Sequence, residues 1–200
     1  MDPISCLPDG KIVDKGRMSK KFLSLNITSF TEACEYIKNM PYGYTASSDD
    51  GYILFTENMG TCEEKHSVAA ELAFELDIPV VKKIGVYKLN DEIVTGVSNI
   101  LSQYSISYMP QSHCFLTYGE FRVDLTEGNC NGKNKTIEDY IDIHDVSYKA
   151  TGDEKNALWE KSVANVLKND AAFSNMTLEK VKSIKSELNE LMQSKCNCLI

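Results

Sequence analysis

The sequence predicts an α+β fold: a cysteine-bearing helix packed on an antiparallel sheet, followed by a C-terminal helical extension. Three observations carry this. Apolar residues recur at helical spacing behind a strong start signal at Thr61. Residues 115–118 and 121–125 alternate as two short strands about Gly119-Glu120. Residues 153–193 carry two more helical stripes. A chain of 200 residues suits a single domain 1–200, with its core at about 25–150 and the extension at about 151–195.

Residues 1–27 hold scattered apolar residues and read as a loosely packed lead-in with at most one short strand. In Ser29–Met40, Phe30, Ala33, Cys34, Ile37 and Met40 share one helical face, and Pro41 stops the helix. Residues 42–51 read as loop and Tyr52–Thr56 as a short strand. In the helix that follows Gly60, Val68, Ala69, Leu72, Ala73 and Leu76 form an apolar stripe, with Glu63, Glu64, Glu71 and Glu75 mostly elsewhere. This predicts an amphipathic helix ended by Pro79. Residues 80–89 read as strand, 93–109 as mixed strand and loop, and 127–136 as loop. In the extension, Leu158, Trp159, Val163, Val166 and Leu167 line one helix; Leu178, Val181, Ile184, Leu188 and Leu191 line the next. Simple packing against the core is the preferred reading of both stripes, and a partner-binding arm is the alternative. Cys196-x-Cys198 reads as a frayed tail, because prenylation would need a cysteine where Asn197 stands.

The net charge of −8 argues against nucleic-acid binding, which needs a cationic surface. Lys20-Lys21 and Lys82-Lys83 are too short to form a basic patch and read as solvated surface lysines. No stretch reaches membrane-helix length, and the first residues lack the apolar run of a secretory signal, so a cytoplasmic protein is expected. Seven widely spaced cysteines, without a CxxC pair, fit free thiols in a reducing compartment and imply no metal or other cofactor.

Thr61 to Glu64 matches a capping box, which places Cys62 at the first helical position. Unpaired N–H groups there favour an anion and lower a thiol pKa, and the thiolate is the nucleophilic form. Gly60 lets the backbone bend and leaves room beside the sulfur. Glu63 and Glu64 oppose the thiolate only if they point toward it, and Glu64 is expected to turn back into the cap. Inert packing is the competing reading of any free cysteine. Of the three histidines, His66 reads as a partly exposed helix residue and His144 as surface. His113 is the candidate base. A two-residue turn at Gly119-Glu120 puts His113 and Asp124 on one face as diagonal neighbours about 7–8 Å apart, within side-chain reach. Asp124 would then hold the imidazole in the tautomer a general base needs. The alternative is an exposed sheet face on which the two merely sit.

Taken together, GTCEEKHSVAAELAFELDIPV and SHCFLTYGEFRVDLT resemble the nucleophile helix and the His and Asp strands of the transglutaminase-like superfamily, with its papain-like core. The resemblance covers roughly residues 29–126 and leaves the tail outside. Asp124-Leu125-Thr126 stands where that family usually has Asp-Pro-Thr, and Glu63 follows Cys62 where an aromatic residue is common. It implies a Cys62–His113–Asp124 triad acting on peptide or carboxamide bonds through a thioester, by hydrolysis or amide transfer, with a protein or peptide as substrate. No loop matches a calcium site. The Cys62 N–H would donate to the oxyanion, with Asn58 or a tyrosine from residues 42–44 as the second donor. A non-catalytic binding module on the same fold is the alternative.

Overall fold

The computed structural model describes residues 3–46, 50–150 and 152–197, without the Asn197 side chain. The loop expected at 42–51 therefore falls partly, and Cys198 wholly, outside the described residues. Among the described residues, seven α-helices surround a four-stranded antiparallel sheet. The helices are α1 (Arg17–Ser24), α2 (Phe30–Asn39), α3 (Ile53–Glu57), α4 (Cys62–Glu75), α5 (Val97–Leu101), α6 (Gly152–Asn169) and α7 (Leu178–Asn197). The strands are β1 (Val81–Leu89), β2 (Met109–Tyr118), β3 (Phe121–Val123) and β4 (Asp142–Val146), in the order β3-β2-β1-β4.

The expected helices α2, α4, α6 and α7, the strand β1 and the hairpin all form. Tyr118 pairs with Phe121 and Leu116 with Val123, the register of a two-residue turn. Gly119 occupies that turn at φ +55, where a side chain would be strained. Four expectations are corrected. The lead-in is not loose: it forms α1, and Ile4, Leu7, Ile12, Met18 and Phe22 are buried. Tyr52–Thr56 is not a strand, because α3 starts at Ile53 and packs against α4. Residues 93–109 contain α5 and a 3-10 turn where strands were expected. The tail is not frayed at Cys196, which is buried in the last turn of α7. The strand β4 had no distinct sequence signal; it pairs with β1 from Lys82↔Val146 to Val86↔Asp142.

α4 is the axis of one apolar cluster, with α1, α2, α3 and the inward residues Leu116, Val123 and Leu125. A second cluster joins the far end of β1 and β2 to α5, α6 and α7 through Trp159, Val163, Phe173, Val181, Ile184 and Leu188. The tail helices are thus core elements.

The expected amphipathic character of α4 is also corrected. Every residue from Glu63 to Ala73 is buried, so its polar groups need protein partners rather than water. Glu71 takes a two-pronged pair from Arg17, at 2.6 and 2.8 Å. Glu75 accepts from the Met18 and Ser19 amides at 2.9 and 2.7 Å, capping the start of α1 from a distance. The Lys65 amine donates to the carbonyls of Lys38 and Met40 at the end of α2, and to Asn129 Oδ1 at 3.1 Å. Burial lowers that amine to about 8.

Candidate active site

α4 starts at Cys62 because the capping box forms. The Thr61 hydroxyl accepts from the Glu63 amide at 3.2 Å, while Glu64 Oε2 takes the Thr61 amide at 2.7 Å and its hydroxyl at 2.6 Å. Glu64 is thereby turned into the cap, as expected. Gly60 has a different role from the one its sequence implied: a Cβ there would meet Leu54 Cδ1 at 2.6 Å and Glu64 Cβ at 3.1 Å, so the space is filled by packing. Gly60 also exchanges backbone hydrogen bonds with the Pro41–Gly43 segment, which brings Tyr42 alongside the helix start.

β2 places His113 and Cys114 on opposite sides of the strand. His113 shares its side with the Tyr87 ring, whose centroid lies 6.5 Å away, and Cys114 donates to Glu63 Oε2 at 3.1 Å. The ladder between β2 and β3 stops at Val123, yet the expected pair forms: His113 Nε2 and Asp124 Oδ2 are 2.6 Å apart. Asp124 is itself clamped, with Oδ1 accepting the Thr126 amide at 2.8 Å and hydroxyl at 2.7 Å. Burial alone would lower the His113 pKa, but the Asp124 charge overrides it and raises the imidazole to about 9. Burial likewise works to raise Asp124, and the His113 charge wins, holding the carboxyl well below its usual range. Since Nε2 is taken by Asp124, Nδ1 is the ring nitrogen left for other partners. The Lys133 amine lies 3.2 Å from the same Nδ1.

Cys62, His113 and Lys133 line one cleft of about 220 Å³. The neighbouring Cys114 thiol, then the His113 and Lys133 charges, hold the Cys62 thiol well below its ordinary range, against burial. Tyr42 and Tyr44 also line the cleft, whereas Asn58 does not; Asn58 ends α3 in a left-handed conformation. The tyrosines therefore retain the role of candidate second oxyanion donor beside the Cys62 amide.

Two expectations near the site are overturned. His66 is fully buried, not partly exposed. Its Nε2 accepts the Leu125 amide at 2.8 Å, which puts the proton on Nδ1, and Nδ1 donates to the Cys62 carbonyl at 2.7 Å. One imidazole thus ties the backbone of the thiol residue to the backbone beside Asp124. Burial drives its pKa down to about 4, so it is neutral and makes no ion pair with Asp124 Oδ1, 3.5 Å away. Lys82 is also buried and not solvated. Its amine binds Glu63 Oε1 at 2.5 Å and Ser67 Oγ at 2.8 Å, while Lys155 binds Glu63 Oε2 at 3.0 Å. Glu63 is held between two cations, whose charges outweigh its repulsion by Cys62. His144, expected at the surface, is half-buried between Asp142 at 3.1 Å and Ser162 at 3.4 Å.

The remaining wall comes from the tail: Lys155 and Asn156 of α6, and Lys185, Asn189 and Met192 of α7. Among the described residues no group of three or more His, Cys, Asp or Glu is arranged to hold a metal ion, and no helix is long and apolar enough to cross a membrane. Comparison with family models, curated proteins and solved structures finds no match for the chain.

Proposed function

We propose that this protein is a thiol enzyme with a transglutaminase-like, papain-like core, acting on peptide or carboxamide bonds through a thioester. The observation that carries the reading is the His113–Asp124 pair at 2.6 Å, with His113 lining the same cleft as a thiol at a capped helix start. The Cys62 thiolate attacks the carbonyl carbon, and the negative oxygen is met by the Cys62 amide, an orphan donor of the first helical turn. The His113 imidazolium gives its Nδ1 proton to the leaving amine, which departs as the thioester forms. Neutral His113 then takes a proton from water or an incoming amine, whose attack on the thioester carbonyl releases the acyl group and restores the Cys62 thiolate beside the His113 imidazolium. Asp124 keeps the imidazole oriented and stabilises its cation. Water as acceptor gives hydrolysis and an amine gives amide transfer.

The test is direct. Iodoacetamide near neutral pH should alkylate Cys62 faster than the exposed Cys130, and Cys62→Ala should abolish turnover of peptide amides. Equal labelling of the two thiols sinks the enzyme reading and leaves a binding module on the same architecture.

A further inference from the structure

The cleft over Cys62 has a composition at odds with the whole chain. The protein carries a net charge of −8, yet three lysines, Lys133, Lys155 and Lys185, converge on this cleft, and among the described residues no Asp or Glu lines it. They come from separate parts of the fold: Lys133 from the loop after β3, Lys155 from α6 and Lys185 from α7. Their partners differ. Lys155 is taken by Glu63, at 3.0 Å. Lys133 and Lys185 have no carboxylate oxygen within 4.0 Å among the described residues. Lys133 lies 3.2 Å from His113 Nδ1, where the two positive charges oppose each other, and Lys185 lies 3.7 Å over the Trp159 ring. That ring supplies a fixed, dehydrated seat for the amine. Burial, then the Lys155 charge, lowers the Lys185 pKa to about 8, the behaviour of a cation whose counter-charge has yet to arrive.

A half-buried amine that has lost water and gained no anion is costly, and an anionic ligand removes that cost. The polar neutral groups around it fit the same ligand. Asn131, Asn156 and Asn189 add amide donors, and Tyr42, Tyr44 and Met192 offer apolar surface to a side-chain stem. We propose that the cleft selects acidic peptides, with Lys133 and Lys185 holding the carboxylate of an aspartyl or glutamyl side chain next to the carbonyl that Cys62 attacks. This rests on the thioester reading for the chemistry. The anion site itself stands on the lysines, and the two are tested separately.

The first measurement compares iodoacetate with iodoacetamide on the intact protein at neutral pH, following the Cys62 and Cys130 peptides by mass spectrometry. The iodoacetate-to-iodoacetamide rate ratio at Cys62 should exceed that at Cys130 by about tenfold at low salt and collapse toward it near about 1 M salt. The His113 imidazolium would also attract iodoacetate, so the variants decide. Lys185→Gln should lower the ratio severalfold, Lys185→Arg should keep it, and Lys182→Gln, which removes the same charge from α7 outside the cleft, should match the wild type. An unchanged ratio in Lys185→Gln overturns the proposal. The second measurement needs no reactivity: Cys62→Ala protein is titrated with N-acetyl-Glu-Glu amide and N-acetyl-Gln-Gln amide and followed by NMR. Tighter binding of the acidic peptide, lost in Lys185→Gln, supports the site, and equal binding of the two peptides overturns it. Slow iodoacetamide labelling of Cys62 together with acid-selective peptide binding would remove the enzyme reading and leave the anion site intact.

Discussion

The two walls of the Cys62 cleft treat charge in opposite ways. On the α4–β2 wall the carboxylates are matched: Glu63 by Lys82 and Lys155, Asp124 by His113, Glu64 by the cap at Thr61. On the α6–α7 wall Lys185 faces the cleft over Trp159 without a carboxylate within salt-bridge distance. The first arrangement fixes geometry, since a buried charge network tolerates few alternative positions. The second leaves binding capacity, since an amine without a counter-charge gains from a ligand. Under the proposed function, orientation of the chemistry falls to the first wall and choice of substrate to the second.

The largest break in this contrast should come from the matched wall. Under the proposed mechanism Asp124→Asn keeps the shape but favours the wrong imidazole tautomer, and kcat/KM for a peptide amide should fall by about 10⁴. Glu63→Ala comes next. It leaves Lys82 buried without its anion, and urea unfolding should show a loss of about 3–5 kcal/mol; the half-buried Lys185 on the opposite wall should tolerate neutralisation far better.

The pH dependence of stability should follow the two buried imidazoles, by at most about 3 kcal/mol. The His113 pKa is raised from 6.5 to about 9, so its contribution is complete below 6.5 and is lost as pH rises through 9. The His66 pKa is lowered from 6.5 to about 4, so its contribution is complete above 6.5 and is lost as pH falls toward 4. These two groups together favour a maximum near pH 6.5, and His66→Gln should flatten the acid limb of a stability curve measured across that range. His66→Ala should cost about 1–3 kcal/mol by leaving the Leu125 amide unpaired. It should also lower kcat more than KM, because it loosens the backbone beside Asp124 without touching the lysine wall. The smallest effect belongs to the exposed Lys182–Glu160 pair on the tail helices, where Lys182→Ala should change stability by less than about 1 kcal/mol.

The matched wall was also the more legible one. A capping box is local, and Thr61 and Glu64 announce it within four residues. Hairpin parity is nearly local too: a two-residue turn at Gly119-Glu120 places His113 and Asp124 on one face before any tertiary contact is considered. His66 was missed because its two partners, the Cys62 carbonyl and the Leu125 amide, are backbone groups, which carry no residue-type signal. Lys82 was partly legible. It sits in register with Ile84 and Val86, the inward side of β1, but a lysine alone reads as solvated until an anion is known to face it. Tyr52–Thr56 had strand-like composition, and packing against α4 overrode that preference.

The sequence by itself determined where the thiol helix starts, the register of the hairpin, the pairing of His113 with Asp124 and the existence of both tail helices. Each of these depends on residues close in the chain or on a fixed backbone period. Only the tertiary structure decided that α4 is buried throughout Glu63 to Ala73, that Glu63 is held by Lys82 and Lys155, and that α6 and α7 close the cleft with Lys155 and Lys185. Those outcomes require groups about a hundred or more positions apart to meet. The energy of such meetings depends on desolvation and counter-charge, which a one-dimensional pattern does not carry.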